Sequence, residues 1–117
     1  MMARLITDAQ RAQLLANGAT FNTDEAYDPF PVVKLFMPDA AATWLLTHIE
    51  PESPDIAVGL CDLCVGYPEI GSVSLSEIAA LRGRLGLPVE RDRHFDAKQR
   101  LSGYAADAIH AGAIITG

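Results

Sequence analysis

Long apolar runs are missing from this sequence of 117 residues, and with two cysteines the chain has too few for a disulfide framework. No stretch approaches the ~18 apolar residues that a membrane-spanning helix needs. The first residues also lack the apolar core of a secretion signal. These absences predict a cytoplasmic protein that does not act in a membrane and whose thiols are reduced.

Basic residues are almost missing from the middle of the chain. Between residues 22 and 77 ten carboxylates accompany a single base, Lys34, so this segment carries a charge of −9 while the whole chain carries −6. The simpler interpretation is that these carboxylates solvate loops and pair with arginines of the C-terminal third. A negative surface also repels nucleic acid, so we expect no direct nucleic-acid binding and a basic protein surface as the partner.

The pattern of residues predicts one α+β domain over residues 1–117, because half of the residues are hydrophobic and only 21% are charged. Strands are expected at residues 32–36, 42–49, 56–65 and 70–73, with a further edge strand at 91–96. In the second strand, period two places Trp44 and His48 on one face. The short connections favour antiparallel pairing.

Three helices are expected around this sheet. Thr7 and Gln10 form a capping box at the start of the first, and Gly18 is expected to end it after about ten residues. The second helix is expected to begin at Ser74 or Ser76, and the third covers residues 102–111. The predicted fold is therefore an antiparallel sheet of three to four strands, with the edge strand as an addition, packed with about three helices.

The two cysteines, Cys61 and Cys64, are three positions apart with Asp62 between them. A structural zinc site needs four ligands, and the three histidines of the chain lack the spacing to complete one. In a regular strand the two thiols point to opposite faces, which favours buried strand thiols. A turn beginning at Asp62 would bring them together, and a metal site or a redox pair would then remain open.

Asp62 also belongs to a group of carboxylates that could hold Mg²⁺ or Mn²⁺, together with Asp39, Glu69 and Glu77. No nucleophile elbow and no glycine-rich phosphate loop is present. We therefore predict no catalytic residues and no cofactor, and we keep a metal-assisted hydrolase using Asp62 and Glu69 as the alternative.

Most of the chain, from about residue 5 to residue 112, resembles a known family. The segments that carry the resemblance are residues 31–34, 42–46, 55–62, 68–69 and 71–75. They are similar to an uncharacterised domain-of-unknown-function family of small proteins carried on proteobacterial plasmids and integrated elements. The resemblance implies an accessory protein of a mobile element, and no catalytic residue comes with it.

These observations together predict a non-enzymatic binding or regulatory protein, present as a monomer or small homo-oligomer. It would act through an acidic surface on a protein partner, and one version of this hypothesis is an anti-defence protein that occupies a basic site meant for DNA. A structural subunit of a larger assembly is a third possibility. The residues expected to bind the partner are Glu50, Glu52, Asp55, Asp62 and Glu69.

Overall fold

Five antiparallel strands form one sheet in the computed structural model, which describes residues 5–63 and 67–116. The strands are β1 (Val33–Phe36), β2 (Thr43–Ile49), β3 (Ile56–Asp62), β4 (Glu69–Ser74) and β5 (Glu90–Arg91). The helices are α1 (Asp8–Thr23), α2 (Leu75–Ala80) and α3 (Leu101–Ala111). Across the sheet the order is β4-β3-β2-β1-β5. The α+β class is confirmed, but the described residues form five strands rather than three to four.

The first helix begins as the sequence predicts and ends later. Thr7 and Gln10 form the expected capping box. Gly18 does not end α1, which runs on to Thr23. A Cβ atom at Gly18 would collide with the carbonyl oxygen of Ile49, so the glycine is needed for the close approach of α1 to β2.

A β-bulge in β2 changes which side chains share a face. Trp44 lies opposite Cys61, but beyond the bulge His48 lies opposite Val58, three residues earlier in β3. Trp44 and His48 therefore point to opposite faces, and the prediction from period two was wrong because an extra residue, Thr47, interrupts the alternation.

The two faces of the sheet carry separate hydrophobic clusters. On one face, the buried side chains of Trp44 and Leu46 pack with Leu14 of α1 and Ile78 of α2. On the other face, three residues of α3 cover Leu45 and Leu60; they are Leu101, Tyr104 and Ala108. Burying a leucine side chain stabilises a fold by roughly 1.5–3 kcal/mol, so each helix is held mainly by its apolar face.

Both ends of the described chain are fastened near the β5 edge of the sheet. Arg91 Nη1 donates a hydrogen bond to the carbonyl oxygen of Leu5 at 3.1 Å. Lys34 Nζ donates to the hydroxyl group of Thr116 at 2.7 Å, and it lies 3.6 Å from a carboxylate oxygen of Asp92. No helix of the described residues is long and apolar enough to cross a membrane.

Candidate functional site

The connection between β2 and β3 carries three of the predicted binding residues. This segment, residues 50–55, is named here the acidic turn, and Glu50, Glu52 and Asp55 are all exposed in it. Its backbone is closed by hydrogen bonds from the Glu50 amide to the Ile56 carbonyl oxygen and from the Ser53 amide to the Glu50 carbonyl oxygen, both at 3.0 Å. The acidic turn therefore presents its side chains from an ordered backbone.

The carboxylate of Asp55 is engaged within the protein. It accepts hydrogen bonds from the hydroxyl groups of Ser74, at 2.5 Å, and Ser76, at 2.8 Å, and from the backbone amide of Ser76, at 2.9 Å. These bonds, that of Ser74 first, lower the pKa of Asp55. Because Ser74 is the N-cap of α2, Asp55 joins the acidic turn to the start of this helix.

Glu50 and Glu52 differ from Asp55 in this respect. Within the described ranges, neither side chain makes a hydrogen bond or ion pair, so both carboxylates are available to a partner. Glu50 lies close enough to His48 to favour its charged form. Burial is the larger effect, and it lowers the pKa of His48.

Asp62 lies at the end of β3 that is far from the acidic turn, and its side chain is buried within the protein. It is 4% exposed, and its carboxylate accepts a hydrogen bond at 3.1 Å from the backbone amide of Ile114. A buried carboxylate needs such donors to offset the loss of water. Asp62 thus fastens the segment after α3 to the sheet, a role that the sequence could not reveal because the donor is 52 residues away.

Glu69 does not join Asp62 in a cluster. It lies opposite Cys61 across the β3–β4 pairing, and cross-strand neighbours share a face. Asp62 follows Cys61 directly and therefore points to the other face. Asp39, a third member of the predicted group, accepts a hydrogen bond at 2.8 Å from the Leu85 amide.

In the described part of the chain no group of three or more His, Cys, Asp or Glu side chains could hold a metal ion. Asp62 and Glu69, the residues named for the metal-assisted hydrolase, therefore do not belong to such a group there.

Cys61 is half-buried, and its thiol is 3.8 Å from the carbonyl oxygen of Gly59. Burial, and to a smaller extent the charge of Glu69, raises the pKa of Cys61 to about 11. A thiol with this pKa is a poor nucleophile and metal ligand at neutral pH, as a buried strand thiol should be. Cys64 lies outside the described residues, so the relative direction of the two thiols stays a prediction.

The open cavities of the surface include two that are lined by described residues. One, of about 420 Å³, is lined by Gln13, Asn17, Tyr27, Pro29, Phe30, Pro31, Val32 and Arg100. The other, of about 360 Å³, is lined by Lys34, Phe36, Met37, Pro38, Ala40, Thr43 and Asp92. Neither lining contains a histidine, a cysteine or a pair of carboxylates, the usual sources of a nucleophile or an acid–base pair.

Comparison with known proteins gives a family and no activity. No curated protein and no solved structure matched the chain significantly. A family model described as a protein of unknown function, DUF2958, matches residues 5–115. This match covers nearly the whole chain and confirms the resemblance to an uncharacterised family. The protein therefore belongs to the DUF2958 family of proteins of unknown function.

Proposed function

We propose that this protein is a non-enzymatic binding protein whose acidic turn docks on a basic surface of a protein partner. The observation that carries the proposal is the combination of two unengaged carboxylates, Glu50 and Glu52, with a third, Asp55, that fixes the turn to α2. A turn that is already ordered loses little conformational entropy when it binds.

The charge distribution around the turn favours the same kind of partner. No lysine or arginine occurs from residue 37 to residue 81, a segment that includes β2, β3, β4 and α2. Arg11 of α1 lies close enough to Asp55 to help lower its pKa, but the segment itself carries only acidic charge, which steers basic partners toward it and disfavours acidic ones. The affinity should therefore fall as the salt concentration rises, because exposed charges are screened.

As the biological setting we propose an accessory protein of a bacterial mobile element. Basic surfaces in that setting belong to proteins that handle nucleic acid, including defence nucleases. An acidic protein can occupy a surface that normally binds DNA phosphates. In its anti-defence version, the acidic turn would compete with DNA for such a nuclease.

The experiment is capture of partners from the native host with the full chain, followed by mass spectrometry. We expect a Glu50→Lys/Glu52→Lys variant to lose the partner that the unaltered protein retains. The matched control is Glu25→Lys/Glu90→Lys, which changes the charge equally at two exposed glutamates outside the turn. Asp55 is left unchanged because it caps α2. Equal retention by both variants, or an affinity independent of salt, would contradict the proposal.

A further inference from the structure

The two edges of the sheet differ in how well they are protected against another strand. At one edge, β5 has only two residues, Glu90 and Arg91, both charged. At the other edge, β4 has six residues and contains neither proline nor lysine, and its only charge is at its first position, Glu69. Short length and charge are the usual protection of edge strands. By this measure β5 is protected and β4 is open.

The backbone of β4 has hydrogen-bonding groups that point away from the sheet. The Leu75 amide donates to the carbonyl oxygen of Asp55 at 2.8 Å, which continues the register in which Gly59 lies opposite Gly71. In an antiparallel ladder successive residues alternate between the inner and the outer side. The amide and carbonyl groups of Ile70 and Ser72 therefore point outward, and within residues 5–63 and 67–116 nothing bonds to them.

The charges around this edge select the kind of strand that it can accept. Glu69 begins β4, and Glu77 lies in the first turn of α2, directly after it. No lysine or arginine occurs from residue 37 to residue 81, so β4 and α2 themselves contain no base. A second copy of the chain would bring carboxylates against carboxylates, whereas an extended segment with lysine or arginine side chains finds opposite charges at both ends.

We propose that the β4 edge binds an extended, basic segment of the partner protein, which adds a sixth strand to the sheet. The outward amide and carbonyl groups of Ile70 and Ser72 pair with the backbone of this segment. Its basic side chains lie near Glu69 and Glu77, and an apolar side chain covers Ile70, which is 54% exposed. That the partner is basic rests on the function proposed above. That the binding edge is β4 rests only on the length, composition and register of this strand.

The first test uses a defined probe in place of the unidentified partner. The probe is a peptide of about eight alternating lysine and valine residues, long enough to span one strand. We expect the backbone amide signals of Ile70 and Ser72 to shift in NMR spectra of the full chain when the peptide is added. The same peptide with methylated backbone nitrogens has the same charge and cannot donate hydrogen bonds, so it should bind at least about tenfold more weakly.

The second test compares two equal substitutions. Ile70→Lys places a positive charge on the edge, and Ile109→Lys places the same charge on the exposed outer side of α3, where the isoleucine is 71% exposed. We expect at least about tenfold weaker binding of the unmethylated peptide by Ile70→Lys and no change for Ile109→Lys.

Three results would overturn the proposal: equal binding of both peptides, equal effects of both substitutions, or a dimer of the unaltered protein that Ile70→Lys dissociates. The first comparison uses the unaltered protein, so it stands even if a variant fails to fold.

The two proposals can fail separately. If adding the peptide shifts only the amide signals of Glu50 and Glu52, the proposal for the β4 edge is overturned and the proposal for the acidic turn is supported. If the Glu50→Lys/Glu52→Lys variant retains the host partner and the peptide binds at Ile70 and Ser72, the proposal for the acidic turn is overturned. The proposal for the β4 edge is then supported.

Discussion

Asp28 accepts hydrogen bonds from both the backbone amide and the hydroxyl group of Ser102, although 74 residues separate the two in the chain. The N-cap residue of α3 is Arg100, whose side chain makes no capping bond. Asp28 supplies the missing acceptor from the loop that follows α1. The helix on one face of the sheet is thereby tied to the loop that leaves the helix on the other face.

Replacing Asp28 should destabilise the protein through this cap. We expect Asp28→Ala to lower the free energy of unfolding by about 1 kcal/mol in urea titrations, the usual effect of losing an N-cap acceptor. Glu25→Ala removes a negative charge from the same loop and should change the stability little, because its side chain makes no hydrogen bond with the described residues. Combining Asp28→Ala with Ser102→Ala should give less than the sum of the two effects. Full additivity would show that the two side chains do not act together.

The buried side chain of Asn17 should contribute more to the free energy of unfolding than the exposed side chain of Gln13. It donates to the carbonyl oxygen of Thr47, at 2.9 Å, and accepts from Gln13 and Tyr27. We expect Asn17→Leu to lower the free energy of unfolding by about 1–3 kcal/mol, because the Thr47 carbonyl group is left without its side-chain donor at the bulge. Gln13→Ala serves as the control, because it removes only the donor to Asn17 Oδ1 and leaves the bond from Asn17 to the Thr47 carbonyl group in place. Equal effects of both substitutions would contradict this role of Asn17.

His48 should make the stability depend on pH in the mildly acidic range. Burial lowers its pKa in the folded protein, whereas in the unfolded chain it titrates near its ordinary value of 6.5. Below that pH the unfolded chain binds more protons, so the free energy of unfolding should fall as the pH drops from about 6.5 toward the lower pKa of the folded state. Denaturant titrations between about pH 7 and pH 5 measure this change.

The control for this pH dependence is His48→Phe, which keeps a ring to stack on Phe21. In the protein the two rings have centroids 4.7 Å apart. The variant should have a flatter profile over the same range. An equally steep profile in the variant would assign the pH dependence to other groups.

Cys61 should react slowly with thiol reagents. With a pKa raised to about 11, only about one thiol in a thousand is ionised at pH 8. We expect alkylation by iodoacetamide in a Cys64→Ser variant to be far slower than that of free cysteine and to speed up steadily toward high pH. Glu69→Gln should increase the rate modestly by removing the smaller of the two causes. A rate that levels off near pH 8 would contradict the raised pKa.

Local patterns of residues predicted the local structure well. The capping box of Thr7 and Gln10 and the cap at Ser74 depend on residues three positions apart, so the sequence shows them directly. The acceptor roles of Asp28 and Asp55 depend on residues that only the fold brings close, and nothing in their surroundings in the sequence marks them. The predicted binding residues were for this reason not of one kind: Glu50 and Glu52 make no hydrogen bond or ion pair with residues 5–63 and 67–116, whereas Asp55 is hydrogen-bonded to Ser74 and Ser76.

Two other features were hidden for the same physical reason. The bulge at Thr47 moves His48 to the opposite face without breaking the alternation of residue types, so period two could not reveal it. Gly18 has the usual sequence signal of a helix end, but its role is to leave room for the carbonyl oxygen of Ile49, which lies where a Cβ atom would be. A glycine that permits close packing and a glycine that ends a helix look alike in a sequence.

Both ends of the described chain are held near β5, so we expect the opposite edge of the sheet, at β4, to unfold first. Contacts from Leu5 and Thr116 must break before the strands beside them separate, whereas β4 is held by β3 and by the cap at Ser74. The outward amides of Ile70 and Ser72 exchange without any opening, so the comparison uses amides that are hydrogen-bonded within the sheet: we expect those of β4 to exchange faster than those of β2. Partial unfolding would then begin at the strand where we place the partner, and an added strand there should slow exchange across the whole β3–β4 hairpin.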